Sequence, residues 1–145
     1  MNKLFIISLL ALLIIAGCSQ ESDGSAGAGS AGGAGETAAV ADADMGKRQF
    51  IFCQACHTTE PGGGNKVGPN LAGMFDRGAG QAEGFVYSQA LSEADLVWDA
   101  ATLDKWIENP MALVPGTTMV FAGISDPEQR ANLIAYLQEA AGSSN

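Results

Sequence analysis

The residues of this chain whose types and spacing could do chemistry lie together in the pentapeptide Cys53-Gln54-Ala55-Cys56-His57. Two thiols at this spacing on a helical turn can each add to a vinyl group of haem, and the next residue can bring its imidazole to the iron. The C-x-x-C-H spacing therefore predicts one covalently attached haem c. Cys53 and Cys56 are the predicted attachment residues, and His57 is the predicted axial iron ligand.

Two other uses of this cysteine pair are inconsistent with the rest of the chain. A structural zinc site takes four protein ligands, whereas beyond the pentapeptide the chain has no other His and only one other Cys, Cys18. A thioredoxin-like dithiol needs a βαβ setting, and no run of alternating or continuous β-branched residues predicts strands here. Haem attachment is therefore the favoured interpretation.

A second axial ligand is expected, because a haem that carries electrons without binding substrate as a rule has both axial positions filled. A Met opposite the His raises the reduction potential. Of five Met residues, Met111 and Met119 lie well downstream of the haem motif, in a region that contains Pro110 and Pro115. Such prolines restrict the backbone and help to hold a flexible thioether in one position. The residues alone leave both Met side chains open as the ligand.

Longer stretches of the sequence resemble the class I c-type cytochromes, the family of mitochondrial cytochrome c and its small bacterial relatives. They are KVGPNL at 66–71 and PGTTMVFAG at 115–123, and the resemblance extends over about residues 44–141. It implies an all-α cytochrome c fold, with three to five helices and large loops around one covalently bound haem. It also implies that Met119, which follows Pro-Gly-Thr-x, is the second iron ligand and that Met111 is a surface residue.

The same resemblance assigns further residues to the haem pocket. Pro69 would accept, at its carbonyl, the hydrogen bond from the His57 ring that fixes the ring orientation. Trp106 lies where the family usually has a Tyr near the ligand sulfur, and its indole differs in reach from a phenol. The other assigned residues are Arg77, Tyr87 and Trp98 as donors to the haem propionates, and Asn109 and Thr117 as supports for the propionates and the Met loop.

The elements that must position these groups are predicted from apolar spacing and capping residues. Gly46, Phe50 and Cys53 recur at i, i+4 and i+7, which predicts one face of a first helix that ends at the haem motif. Asp42 and Asp44 are its candidate N-caps.

A second helix is predicted from about Thr102, and it must stop before Pro110. A short helix is also predicted at 88–94. The predicted inward residues of the second helix are Leu103, Trp106 and Ile107.

The last helix is predicted to begin at Asp126 and to run to Ala141. Pro127 suits the first helical position, and Gln129 completes a pattern like a capping box. In the resembling family the first and last helices cross at a glycine, which here is Gly46. The predicted buried residues of the last helix are Leu133, Tyr136 and Leu137, and the first two are the expected neighbours of that glycine.

The N-terminal segment has the layout of a bacterial secretory signal. Lys3 precedes an apolar run from Leu4 to Ala16 that is shorter than the roughly 20 residues of a membrane span. Ile15-Ala16-Gly17-Cys18 then resembles the lipobox, in which the Cys becomes the lipid-modified first residue of the mature protein. Cys18 is therefore the predicted lipid anchor, and the predicted location is the extracytoplasmic, periplasmic side of a membrane.

Three regions are predicted from this layout. Residues 1–17 are the lipoprotein signal peptide, residues 18–41 are a lipid-anchored flexible linker rich in Gly, Ala and Ser, and residues 42–145 are the cytochrome c domain. Because 16 acidic residues outnumber 7 Lys and Arg, for a net charge of -9, nucleic acid is not an expected partner.

The predicted function is that of a monomeric, membrane-tethered, monohaem electron carrier and not of an enzyme. Its expected partners are respiratory or photosynthetic membrane complexes that donate and accept electrons. Mitochondrial members of the resembling family dock through a ring of lysines, and this chain has few, so tethering is expected to aid docking. Two alternatives stay open: a haem enzyme or gas sensor with a displaceable Met ligand, and a fixed subunit of a larger oxidoreductase.

Overall fold

Five α-helices and one 3-10 turn form the regular structure of the computed structural model, which describes residues 40–142. In this range the extended pairing is limited to one isolated antiparallel bridge between Gly78 and Val97, and no helix there is long and apolar enough to cross a membrane. The predicted all-α fold with three to five helices is confirmed. The helices are α1 Ala43–Phe50, α2 Gln89–Ser92, α3 Ala100–Glu108, α4 Pro110–Leu113 and α5 Pro127–Ala140, and the 3-10 turn Met74–Asp76 lies between α1 and α2.

The signal peptide, the lipid anchor Cys18 and nearly all of the linker lie outside the described residues. The three predicted regions of the chain therefore stay predictions.

Helix α1 begins where its N-cap predicts. The Asp42 side chain accepts a hydrogen bond from the Met45 backbone N-H at 3.0 Å, so Asp42 and not Asp44 is the cap. Gly46 and Phe50 are buried on the predicted face. Such a cap satisfies a backbone donor that has no partner within the helix.

Helices α1 and α5 cross at Gly46, as expected. A Cβ at this position would lie 2.6 Å from the backbone carbon of Asn132 and 2.8 Å from Cβ of Tyr136. The nearest atoms thus belong to Asn132 and Tyr136, and not to the predicted pair Leu133 and Tyr136. The Asn132 side chain also accepts from the Asp42 backbone N-H at 2.7 Å, which joins the start of α1 to α5.

Helix α3 begins earlier than predicted, at Ala100 instead of about Thr102. The Asp99 side chain accepts from the Thr102 backbone N-H at 2.7 Å and so acts as its N-cap. The helix ends at Glu108, before Pro110 as predicted, but this proline also opens the short helix α4, which the sequence did not predict. Proline suits the first position of a helix, where its missing N-H is not needed.

Helices α2 and α5 lie close to their predicted ranges. Ser88 caps α2, which ends at Ser92 and not Ala94. Asp126 caps α5 by accepting from two backbone N-H groups, and Pro127 occupies the first turn. The core packs mainly the inward faces of α1, α3 and α5, and its buried members include Phe50, Leu91, Leu103, Trp106, Ile107, Leu133, Ile134 and Leu137.

Candidate haem-binding site

A cavity of about 260 Å³ brings most of the predicted haem residues together. Met119 lines this cavity, whereas Met111 does not and is 51% exposed. Asn109 is likewise absent from the lining, since its side chain caps α4. The predicted site residues that do line the cavity are Cys53, Cys56, His57, Pro69, Arg77, Tyr87, Trp98, Trp106, Thr117 and Met119.

The turn that follows α1 positions the haem motif. The Cys53 N-H donates to the Phe50 carbonyl at 2.8 Å, and the His57 N-H donates to the Cys53 carbonyl at 2.9 Å. These bonds carry the helical path past the end of α1, so both thiols and the imidazole reach the same cavity. Burial, helped by the neighbouring Cys56, raises the pKa of the Cys53 thiol.

The His57 ring is fixed by one hydrogen bond. Its Nδ1 lies 2.8 Å from the Pro69 carbonyl oxygen, and because a carbonyl only accepts, Nδ1-H is the donor. Nε2 therefore has a free lone pair and is the ring atom available to bind iron. Burial lowers the pKa of His57, the charge of Lys66 acts in the same direction, and the Pro69 hydrogen bond opposes them. The ring is thus kept neutral, as iron binding requires.

Gly68 packs against the same ring, and the sequence pattern did not indicate this. A Cβ at this position would lie 2.8 Å from both His57 ring nitrogens. The Gly68 N-H also donates to the Cys56 carbonyl at 2.8 Å, which ties this segment to the haem motif. The signal that could have revealed the contact is a glycine directly before the proline that receives the ring hydrogen bond.

The loop that carries Met119 is held at its beginning by local hydrogen bonds. The Asn109 side chain accepts from the Ala112 N-H at 3.0 Å, which starts α4. Thr117, only 8% exposed, accepts at its Oγ1 from the Met119 N-H at 3.4 Å, and its own N-H donates to the Val114 carbonyl. Thr117 thus supports the loop directly, and Asn109 supports it through α4.

The end of the same loop is held by Arg130, which the sequence analysis did not single out. Its buried guanidinium donates from Nη1 to the carbonyls of Ile124 at 3.0 Å and Ser125 at 2.8 Å. Its Nε donates to Asp104 of α3 at 2.7 Å. The signal for this role is a cation near the start of α5, where the helix dipole disfavours positive charge. A compensating set of acceptors is then required.

Comparison with known proteins shows which protein family has this arrangement. A family model described as Cytochrome c matches residues 43–141. The chain belongs to the cytochrome c family. Membership of this family confirms the prediction of a class I c-type cytochrome with one covalent haem c. As a member of the family, the chain is a one-electron carrier.

Individual relatives and a solved structure agree with this membership. The chain is 49% identical over 108 residues to cytochrome c of Chlamydomonas reinhardtii, which covers 72% of this chain and 96% of the relative. It is 47% identical over 100 residues to cytochrome c2 of Rhodoblastus acidophilus, with 69% and 94% covered. The structure of cytochrome cH from Methylobacterium extorquens matches with a TM-score of 0.63 at 45% identity, and 68% and 98% of the two chains are covered.

The residues of the cavity fit the haem c of the cytochrome c family. Both thiols are free of a disulfide among the described residues, so each can form a thioether. A neutral imidazole and a thioether line the same cavity, and these are donor types that would hold a haem iron. Most of the remaining lining is apolar, including Leu71, Leu91, Leu103, Phe85, Leu133 and Leu137.

The three residues assigned as donors to the haem propionates, Arg77, Tyr87 and Trp98, line the cavity, but their role there stays a prediction. Arg77 donates from Nη2 to the Asn70 carbonyl at 2.6 Å and from Nη1 to the Ala72 carbonyl. The Tyr87 hydroxyl accepts from the Ala82 N-H at 3.2 Å, and burial raises the pKa of this tyrosine. The indole rings of Trp98 and Trp106 contact each other with centroids 5.5 Å apart.

Proposed function

We propose that this member of the cytochrome c family is a lipid-anchored carrier that exchanges single electrons with respiratory or photosynthetic complexes on the extracytoplasmic side of a membrane. The observation that carries the proposal is that His57 and Met119 line one cavity from separate segments, each held by its own hydrogen bonds. If His57 and Met119 both bound a haem iron held in this cavity, no iron position would be left for a substrate.

The residues that line the cavity would determine the reduction potential of the bound haem. When bound, the haem supplies a one-electron couple between ferric and ferrous iron. A neutral His57 and the Met119 thioether favour a positive reduction potential, because the thioether stabilises the lower charge. The apolar lining acts in the same direction, since extra charge in a low-dielectric site is costly. Hydrogen bonds to the Met loop would help to hold Met119 at the iron in both redox states.

The proposed anchor is the lipid carried by Cys18. A flexible linker of about 23 residues has a root-mean-square span of roughly 25 to 30 Å, so the domain would reach partners in a small patch of membrane. Such a tether raises the local concentration of the carrier without any new contact. The support for this anchor is the match of residues 15–18 to the lipobox and the Gly, Ala and Ser composition that follows.

The axial ligands are tested by spectroscopy of the protein matured in a host that assembles c-type cytochromes. We expect a pigment that acid acetone does not extract, a low-spin ferric spectrum, and slow, weak binding of cyanide and carbon monoxide. Fast carbon monoxide binding to the ferrous protein would favour the enzyme or sensor alternative. Purification in a stable complex with an oxidoreductase after mild detergent extraction would favour the fixed-subunit alternative.

The anchor is tested separately by the Cys18→Ser variant. We expect the wild-type protein in the membrane fraction with a lipid mass on its N-terminal peptide, and the variant in soluble or unprocessed form. A variant that is processed normally and stays on the membrane would contradict the assignment of Cys18. That result would leave the haem assignment untouched.

A further inference from the structure

One hydrogen bond fixes the His57 ring, and its acceptor is the Pro69 carbonyl, 2.8 Å from Nδ1. This carbonyl and the N-H of Asn70 belong to the same peptide unit, which is planar. Whatever fixes the N-H therefore also fixes the direction in which the carbonyl points. The Asn70 N-H donates to Oδ1 of Asn65 at 2.9 Å, and Nδ2 of Asn65 donates to the Glu83 carbonyl at 3.0 Å. The peptide unit is thus bonded at both ends, to the His57 ring on one side and to Asn65 on the other.

The side chain of Asn70 holds the same peptide unit through further bonds. Its Nδ2 donates to the Glu60 carbonyl at 2.9 Å and to the Gly63 carbonyl at 2.6 Å, and its Oδ1 accepts from the Ala72 N-H at 2.9 Å. The main-chain carbonyl of Asn70 accepts from Nη2 of Arg77 at 2.6 Å. The side-chain amide and both main-chain groups of this partly buried residue therefore all have partners. A carboxylate could not replace the amide, because it cannot donate to the two carbonyls.

We propose that Asn70 and Asn65 are positioning residues for His57, because together they hold the peptide unit between Pro69 and Asn70 so that its carbonyl stays on the His57 ring. The inference rests on the proposed function, since it requires His57 to bind the haem iron. A hydrogen bond from Nδ1-H makes an imidazole a more basic ligand, and a more basic ligand favours ferric over ferrous iron. Donation of the peptide N-H to Asn65 polarises the carbonyl and strengthens its bond to the ring. Loss of either side chain should therefore raise the reduction potential.

The test uses the full, haem-loaded protein matured in a host that assembles c-type cytochromes. Asn70→Ala removes the three side-chain hydrogen bonds of Asn70, and Asn65→Ala removes the acceptor of the peptide N-H. Because Asn65 is exposed, its variant should fold even if Asn70→Ala does not. The matched control is Thr58→Ala. Thr58 Oγ1 accepts from the Glu60 N-H at 3.2 Å in the same segment, and this bond does not involve the peptide unit that contacts the ring.

Each protein is measured for its reduction potential, for its free energy of unfolding, and for the solvent exchange rate of the His57 Nδ1-H proton by NMR of the ferrous form. We expect both asparagine variants to shift roughly two- to tenfold toward the ferrous form against a fixed reference couple, the range that corresponds to the net contribution of one hydrogen bond. Exchange of the His57 Nδ1-H proton should be about tenfold faster or more in both, because the bond that protects it opens more often. Thr58→Ala should lose stability but keep the wild-type potential and exchange rate.

Three results would overturn the proposal while the proposed function stands. Asparagine variants that unfold more easily but keep the wild-type potential and exchange rate would show that the two side chains only stabilise the loop. A lower potential in both variants would contradict the polarisation of the carbonyl. A Thr58→Ala variant with the same shifts would assign the effect to the whole segment and not to the peptide unit. A wild-type spectrum without His57 on the iron would instead overturn the proposed axial ligation, and the role of both asparagines with it.

Discussion

Replacement of Gly68 by Ala would press a methyl group against the iron-binding ring of His57. The added Cβ would lie 2.8 Å from both ring nitrogens, whereas non-bonded heavy atoms of this size rest at about 3.5 Å or more. Something must therefore move by at least about 0.7 Å, the difference between these two distances, because the ring carbon Cε1 would lie closer still to the added Cβ. Neither side moves freely, because the Gly68 N-H is bonded to the Cys56 carbonyl at 2.8 Å and the ring to Pro69 at 2.8 Å.

The expected loss of stability follows from these contacts. Overpacking of this kind destabilises a protein by about 1 to 3 kcal/mol, and a weakened hydrogen bond between His57 and Pro69 adds about 0.5 to 1.5 kcal/mol. We therefore expect the free energy of unfolding of the Gly68→Ala variant to fall by about 1.5 to 4.5 kcal/mol. For a domain of this size, each kcal/mol corresponds to roughly 4 to 8 °C in Tm. A rotated ring should also change the reduction potential.

The assay is denaturant unfolding of the haem-loaded protein, together with a redox titration. The matched control is Gly64→Ala, because a Cβ at Gly64 meets nothing within 4 Å, and such a surface change should stay within about 0.5 kcal/mol of the wild type. If Gly68→Ala unfolded at the same denaturant concentration as this control and kept the wild-type potential, the steric argument for the ring would be refuted.

Three further predictions concern the second ligand, its loop and a helix cap. Met119→Ala should lower the reduction potential by a sizeable part of the roughly 0.8 V that axial ligation spans, whereas Met111→Ala, at an exposed site, should leave it unchanged in the same titration. Arg130→Met should speed displacement of the Met ligand by added imidazole roughly tenfold in stopped-flow measurements, because the Ile124 and Ser125 carbonyls lose their donors. The displacement rate of Arg130→Lys should lie between those of the wild type and Arg130→Met. An Arg130→Met rate equal to that of the wild type would contradict the role of Arg130 in holding the loop. Hydrogen bonds from Thr102 lower the pKa of Asp99 in the folded protein, so the contribution of this carboxylate to stability is present above its ordinary pKa and is lost as the pH falls through the folded value. The difference in unfolding free energy between wild type and Asp99→Asn should therefore shrink below about pH 4. A difference that stays constant with pH would refute this.

The parts of the site that the sequence predicted are those with local causes. The haem motif is contiguous, and its thiols and imidazole reach one cavity because the helical path continues past α1. The caps Asp42 and Asp126 were predicted for the same reason, since each accepts from backbone groups within three residues. The two candidate Met ligands could not be separated by local chemistry. Only the resemblance to the family favoured Met119, and the structure then placed Met119 in the cavity and Met111 outside it.

The parts that the sequence did not predict depend on partners far apart in the chain. Arg130 and Asp104 are 26 positions apart, and nothing local to either one indicates the other. The contact of Asn132 with Asp42 spans 90 positions. Helix α4 was missed for a different reason, since Pro110 was interpreted only as the end of α3. The same residue both stops one helix and starts the next when its predecessor can cap.

The two sides of the haem cavity are held by different kinds of constraint. The side that is held less firmly limits how well the chain can keep both iron ligands in place. The His57 side combines two attachment thiols, a ring hydrogen bond and the close approach of Gly68, so the imidazole has little freedom. The Met119 side has no covalent attachment: it is held by hydrogen bonds, at Thr117 within the loop and at Arg130 beyond it, and by the packing of partly buried side chains such as Phe121 and Ile124 against the core. A loop held in this way opens at a lower free energy than a packed core. An electron carrier and a ligand-binding haem protein in this family could thus differ by how firmly that loop is closed. The buried guanidinium that donates to two carbonyls at its end favours the closed state, and therefore the carrier.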